Sequence, residues 1–173
     1  ANGMEYPMIC FSFGRCEKDA SGEYSSNSTY SEGTKNGMLG VVIHEVGHNF
    51  FPMIINSDER QWTWMDEGLN TFCEYLTEEL YDNKFPVRRG PAYSIVDYMK
   101  LPKDQLEPIM TSSDDIIQFG PNAYSKPATG LNILRETIMG RELFDYAFKT
   151  YAQRWAFTRL GNFMFCPPGE NAT

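Results

Sequence analysis

The stretch that decides the fold lies at residues 41–48 and is Val-Val-Ile-His-Glu-Val-Gly-His. It holds the only two histidines of the 173-residue chain, His44 and His48, four positions apart. Residues at this spacing lie on one face of an α-helix, one turn apart, so both imidazoles can reach the same point. Glu45 stands about 100° round the helix from His44, close to that point but beside it. The mostly apolar residues at 38–43 indicate that this helix is largely buried.

A buried pair of imidazoles beside a carboxylate requires partners, and a metal ion would supply them. Catalytic zinc takes three protein ligands and keeps one position open. Glu67 is the candidate third ligand, because it follows His48 after eighteen intervening residues. The pattern therefore predicts one Zn²⁺ per chain, held by His44, His48 and Glu67, with Glu45 as the general base of a metallopeptidase.

Glu74 lies about two helical turns after Glu67 and shares its face of the next predicted helix. It could accept the free N–H of a ligating histidine and so orient the ring. A carboxylate exposed to solvent is the alternative. The residues alone leave both interpretations open.

The hydrophobic pattern predicts an α+β fold that is predominantly helical, with a short strand region at its N-terminal end. A single strand is expected at residues 8–13, followed by a polar connection at 17–35. Pro52 ends the helix that carries the histidines. Helices are expected at residues 34–51, 66–81, 93–100, 128–139 and 141–155, with a mostly irregular segment at 101–121.

The composition bounds the possible partners. The net charge is −8, and the longest basic run is the pair Arg88-Arg89, which argues against nucleic acid as a ligand. No apolar run approaches the ~20 residues that a membrane-spanning helix needs. Residues 1–4 have the composition of the interior of a longer polypeptide. The cellular compartment therefore stays unassigned, because a cytoplasmic and an exported protein are not distinguished.

Three motifs, in order along the chain, resemble the M1 zinc aminopeptidases, a family of gluzincins. The metal motif and its spacer end in Asp-Glu-Gly at residues 66–68, similar to the family's Asn-Glu-Gly. Residues 2–7 are Asn-Gly-Met-Glu-Tyr-Pro and resemble the family's Gly-x-Met-Glu-Asn exopeptidase motif. Residues 124–128 are Tyr-Ser-Lys-Pro-Ala and resemble its Tyr-x-Lys-Gly segment. Tyr6 replaces the usual Asn, and Pro127 replaces the usual Gly.

The resemblance implies a thermolysin-like zinc-peptidase catalytic domain at residues 1–157 and an irregular tail at 158–173. It implies that the hydroxyl of Tyr124 stabilises negative charge on the substrate's carbonyl oxygen. It also implies peptide substrates with a free N-terminus, and flanking N- and C-terminal domains in a longer polypeptide. The substrate-binding residues that it implies belong to the first motif and are Gly3, Met4 and Glu5, with Glu5 binding the ammonium group.

The predicted function is zinc-dependent hydrolysis that releases N-terminal residues from peptides. One alternative is an endopeptidase of thermolysin type, which shares the metal ligands but needs no group for the substrate's amine. A second alternative is a catalytically silent domain that holds zinc and binds peptides. The presence of Glu45 argues against this second alternative, because a silent site has no need of a general base.

Overall fold

Helix α1 (Glu32–Gly47) is the element around which the other described parts are arranged. The structure is a computed structural model and describes residues 3–14, 17–24 and 30–157. The side chain of Ser31 caps α1 by accepting the N–H of Thr34 at 3.2 Å, which satisfies a donor that the first turn leaves free. The predicted tail at 158–173 lies outside the described residues, so the domain boundary at 157 stays a prediction.

Within the described residues four further helices follow α1, and π-helical or 3₁₀ turns precede or extend most of them. These are α2 (Leu69–Tyr81), α3 (Val96–Met99), α4 (Lys126–Ile133) and α5 (Arg141–Trp155). The π-helical turns span Trp64–Gly68, Gly120–Ser125 and Leu134–Ile138, and the 3₁₀ turns span Ala92–Ile95 and Lys103–Gln105. This mostly helical chain with a small sheet fits the predicted α+β class. No helix in these described ranges is both long and apolar enough to cross a membrane.

The N-terminal strand region is a hairpin, where the sequence predicted one strand at residues 8–13. Strand β1 (Gly3–Tyr6) pairs antiparallel with β2 (Ile9–Ser12), in a register that sets Glu5 opposite Cys10. The turn between the strands places Met8 at φ 65°. The pattern missed β1 because a four-residue strand containing Gly and Glu lacks the β-branched composition on which strand prediction depends.

Several predicted helices have different bounds in the structure, and two of these differences bear on the site. Helix α1 ends at Gly47 and not at residue 51, because the chain turns there and brings the carbonyl of Phe51 against the ring of His48. The helix predicted at 128–139 begins earlier, in the π-helical turn Gly120–Ser125. Residues 101–121, expected to be mostly irregular, include Pro121 at the start of this turn. Proline is tolerated in the first turn of a helical segment, where its missing N–H has no intrahelical partner.

The helices enclose two adjacent apolar clusters. One contains Phe51, Ile55, Met65 and Leu69, and the other contains Phe72, Ala128 and Phe144. Cys73, Leu131 and Phe148 pack against both clusters and join them into one core. These clusters hold the C-terminal end of α1, the start of α2 and the start of α4 close together.

Close backbone approaches set the distance between the elements that carry the polar residues. A Cβ atom on Gly47 would overlap the side-chain amide of Asn70, whose Nδ2 donates to the carbonyl of His44 at 2.8 Å. A Cβ atom on Gly68 would overlap the ring of Pro127. The first contact fixes α2 against α1, and the second brings the turn before α2 against the start of α4.

Candidate metal centre and cleft

His44, His48 and Glu67 meet at the C-terminal end of α1. The Nε2 atoms of the two histidines lie 3.0 Å apart, and Oε2 of Glu67 lies 3.0 Å from Nε2 of His44 and 3.3 Å from that of His48. Both histidines are buried, and His48 has no exposed surface. The three residues predicted to be ligands therefore present one atom each to a single point.

The outer nitrogens of the two rings have other partners. Nδ1 of His44 donates to Oε2 of Glu74 at 2.9 Å, and Nδ1 of His48 donates to the carbonyl of Phe51 at 2.8 Å. Oδ1 of Asp66 lies 3.1 Å from the same Nδ1 of His48, so a second acidic group stands beside that nitrogen. Carboxylate and carbonyl oxygens only accept, so Nδ1 carries the proton in both neutral rings.

These tautomers test whether a metal ion fits the site. With Nδ1 protonated, each Nε2 atom of a neutral ring presents a lone pair, and so does Oε2 of Glu67. These three atoms lie 3.0 to 3.3 Å apart, so a positive charge must lie among them, either as protons on the ring nitrogens or as a metal ion in their place. Nitrogen and oxygen ligands about 2.0–2.1 Å from a tetrahedral zinc ion are separated by about 3.3 Å. The residues present therefore fit a zinc ion.

The electrostatics of the site also favour positive charge. Burial lowers the pKa of His44, but the hydrogen bonds with Glu67 and Glu74 outweigh burial and raise it to about 9. Burial likewise lowers the pKa of His48, but the nearby carboxylates of Asp66 and Glu67 raise it to about 11. Burial raises the pKa of Glu67, and its two histidine partners reverse this and lower it to about 2. The surrounding acids thus stabilise a cation between the rings.

Glu45 points into the same region without joining the three converging atoms. It is buried, and its Oε2 atom has no hydrogen-bond partner. Burial raises the pKa of its carboxyl, while the neighbouring histidines lower it in part. A Cβ atom on Gly3 would overlap this carboxylate, so strand β1 lies directly against it. A carboxylate with one free oxygen and a raised pKa is suited to accept a proton from a bound water.

Glu5 reaches the site from the hairpin. Its Oε2 atom lies 3.9 Å from Nε2 of His48, and Glu5, Glu45 and His48 each present one possible ligand atom within 4.8 Å of the other two. Burial raises the pKa of Glu5, an effect that His48 partly offsets. The hairpin therefore presents a carboxylate beside the metal-ligand atoms, with Gly3 and Met4 on the same cleft wall.

Tyr124 closes the opposite side of the site. Its hydroxyl donates to Oε1 of Glu67 at 2.5 Å, and its ring stacks on that of His44 with centroids 5.8 Å apart. Burial, and then the charge of Glu67, raise the pKa of Tyr124, so the hydroxyl stays protonated and can donate. Lys126 holds the segment by donating to the carbonyl of Glu107 at 2.5 Å.

A cleft of about 680 Å³ runs from these residues along the N-terminal half of α1. All of the predicted site residues except His48 line it, and His48 lies beneath it. Sequence reasoning missed two neighbours of the site, Asp66 beside His48 and Arg89 against Tyr124. Asp66 directly precedes Glu67 and was used only as part of the Asp-Glu-Gly motif. Arg89 belongs to the longest basic run, which was used only to argue against nucleic acid as a ligand.

A sequence model described as the peptidase family M1 domain matches residues 24–165 of the chain. No curated protein and no solved structure matches the chain. The matched range includes the residues that converge at the candidate metal centre, together with Tyr124. It begins after the hairpin, so Glu5 is assigned by resemblance and geometry alone.

Proposed function

Because the chain belongs to peptidase family M1, we propose that it is a zinc-dependent aminopeptidase, which releases the N-terminal residue of a peptide. Membership of the family supports hydrolysis of peptide bonds. The proposal adds the metal, the residues and the requirement for a free N-terminus. We also propose that the architecture around the site is thermolysin-like, as the motifs suggested.

His44, His48 and Glu67 would hold the zinc ion, and Glu74 would keep the ring of His44 in the tautomer that binds it. When bound, zinc supplies a Lewis acid that activates water and polarises the substrate's carbonyl group. Glu45 accepts the proton of the attacking water, because it lines the cleft, one of its oxygens has no hydrogen-bond partner and its pKa is raised. It then returns that proton to the departing amine.

Tyr124 contributes the second catalytic contact. Its protonated hydroxyl donates a hydrogen bond to the carbonyl oxygen as negative charge develops there. In the absence of substrate the same hydroxyl donates to Glu67, so it is held in the site at hydrogen-bond distance from a metal-ligand carboxylate. A hydrogen-bond donor that is already in place needs little reorganisation during the reaction.

The observation that carries the proposal is the position of the Glu5 carboxylate, 3.9 Å from Nε2 of His48. An endopeptidase does not need an extra carboxylate there, because it cleaves within a peptide, where the backbone carries no ammonium group. An aminopeptidase needs such a group, because it must bind the ammonium of residue one beside the bond that is cut. The carboxylate of Glu5 thus favours the aminopeptidase over the thermolysin-type alternative.

A silent domain that holds zinc and binds peptides is the second alternative. Glu45 weighs against it, since a buried carboxylate with an unpartnered oxygen costs stability and has no structural partner to justify it. A site without turnover could replace that carboxylate by an apolar side chain.

The test combines metal analysis with a matched pair of substrates. We expect about one zinc ion per chain, cleavage of an aminoacyl p-nitroanilide, and little cleavage of its N-acetylated form. Equal cleavage of both forms would favour the endopeptidase. Full zinc occupancy without cleavage of either form would favour the silent domain.

A further inference from the structure

Charged groups lie on both sides of the candidate metal centre, and the acids Glu74 and Glu78 line the cleft together with two arginines. The carboxylates of Glu5 and Asp66 lie beside His48, at 3.9 and 3.1 Å from its nitrogens. On the side of His44 and Tyr124, the cleft is lined by Arg88 and Arg89. Among the described residues that line the cleft, these two arginines are the only strong cations. A peptide carries opposite charges at its two ends, and Glu5 and the arginine pair each offer the charge that one of those ends requires.

Arg89 is held against the site by its packing. Its guanidinium carbon lies 4.4 Å from the ring centroid of Tyr124, the tyrosine that contacts Glu67. The following residue, Gly90, has φ 105°, and a Cβ atom there would overlap the ring of Tyr75 on α2. The loop that carries Arg88 and Arg89, here called the arginine loop, therefore packs on α2 at a position where the backbone requires glycine. Only one aromatic ring separates Arg89 from the metal-ligand carboxylate.

Neither arginine is neutralised by a close acid. Within the described ranges, neither Arg88 nor Arg89 forms an ion pair within 4.0 Å, whereas Arg60 and Arg135 each do. Glu78 is an acid whose pKa burial raises and both arginines lower. Burial, followed by the charge of Glu74, outweighs the arginines and raises the pKa of Glu78 to about 7. Two guanidinium groups in a cleft thus keep donors that no protein carboxylate occupies.

We propose that Arg88 and Arg89 form a carboxylate-binding subsite on the leaving-group side of the scissile bond. This inference rests on the proposed function, because it assigns the substrate's N-terminus to Glu5 and so places the rest of the peptide toward the arginines. Guanidinium groups bind carboxylates with two parallel hydrogen bonds, which makes them selective for that group.

The carboxylate can come from two sources. An extended residue spans about 3.3–3.6 Å, so the C-terminus of a dipeptide lies one residue beyond the cleaved bond, within reach of an arginine loop packed on Tyr124. An acidic side chain at that same residue of a longer peptide presents the same group. Both sources place one carboxylate beside the arginines.

The experiment uses peptides that share one N-terminal residue X, the residue best cleaved as a p-nitroanilide. X-Ala is compared with X-Ala amide, and X-Glu-Ala amide with X-Gln-Ala amide, by kcat/KM in the purified protein. We expect the carboxylate member of at least one pair to be preferred about tenfold or more. A preference in the first pair identifies the C-terminus as the ligand, and one in the second identifies an acidic side chain.

Two variants assign the preference to this loop. Arg88→Gln should reduce the ratio within the preferred pair to near one, while Arg60→Gln, which removes an exposed arginine paired with Asp114, should leave that ratio unchanged. Ratios near one in both pairs for the wild type would overturn the subsite even if Arg88→Gln does not fold. In that case continued cleavage of the p-nitroanilide would leave the aminopeptidase proposal standing. A protein that cleaves no free-amine substrate would overturn both.

Discussion

The helices that carry the candidate metal ligands and the hairpin that carries Glu5 are built differently. The ligand atoms stand on α1 and on the turn before α2, and the hydrogen bond from Asn70 to the carbonyl of His44 ties these elements together. His48 is fully buried. The hairpin has four residue pairs, and Met8 at its turn is 96% exposed. It contacts the site mainly through Gly3 and Glu5.

Under the proposed function, this difference implies that hydrolysis and recognition of the substrate's N-terminus depend on separable parts. The candidate metal ligands are held by the apolar core, so a change in the hairpin should not displace them. Recognition of the amine would depend on a short hairpin that rests on α1. Substitutions in the two regions should therefore have different effects on zinc content, rate and substrate preference. The following predictions test this, beginning with the largest effect.

Glu67→Ala should remove most of the bound zinc and with it nearly all peptidase activity. The two histidines that remain offer too few ligands for a catalytic zinc site. Zinc per chain is measured by elemental analysis, with Glu142→Ala, an exposed acid in the first turn of α5, as the matched control. Unchanged zinc content in Glu67→Ala would show that Glu67 is not the third ligand.

Glu45→Gln should keep both the fold and the zinc while losing roughly 10²-fold or more in kcat. Glutamine has nearly the same shape as glutamate but cannot accept the proton of the attacking water. The measurement pairs kcat on a p-nitroanilide with zinc content and circular dichroism of the same sample. Loss of zinc together with activity would contradict the assignment of Glu45 as a base.

Glu5→Ala should separate the two regions most clearly. Free-amine substrates should lose roughly 2 to 4 kcal/mol of transition-state binding, because their ammonium would have no partner in the cleft. N-acetylated substrates and zinc content should change little. The measurement is kcat/KM for the matched pair, with Glu23→Ala, an exposed acid in the next loop, as control. Equal losses on both substrates would mean that Glu5 supports the fold and does not bind the substrate's N-terminal ammonium group.

Gly3→Ala should have the smallest effect and should act on the base from the hairpin. The new methyl group would overlap the carboxylate of Glu45, and relieving such an overlap costs about 1–3 kcal/mol. We expect kcat to fall about tenfold with zinc retained, and free and blocked substrates to lose equally. Gly14→Ala is the matched control, since a Cβ atom there meets nothing within 4 Å. If the two alanine variants behave alike, strand β1 does not constrain Glu45.

Much of the helical part of the fold could be predicted from local pattern. Helix α5 has the predicted bounds, Arg141–Trp155, because its apolar stripe is regular and Gly140 precedes it at φ 80°. The start of the segment around Tyr124 could not be predicted, because local rules treat its prolines as helix breakers. Strand β1 was missed because its pairing partner and α1, and not its composition, make it a strand.

The candidate site also has a part that could be predicted from local sequence and a part that could not. The spacing of His44, His48 and Glu67 was sufficient to predict a metal site, because helix geometry alone puts two of these side chains on one face. Asp66 and Arg89 could not be assigned, since their importance lies in contacts with His48 and Tyr124 across the fold. A local pattern contains no information about such partners.

The sequence alone was enough to predict the family to which the chain belongs, and it suggested a metal-binding helix with a general base, which stays a prediction. Helical periodicity and motif spacing are local properties, so they can be recognised without knowledge of how the chain packs. The tertiary structure decided which oxygen and nitrogen atoms converge, which proton each ring carries, and which charges lie at each end of the cleft. These depend on distances of a few ångströms between residues far apart in the chain, and only the packing of α1, α2, the hairpin and the segment of Tyr124 sets those distances.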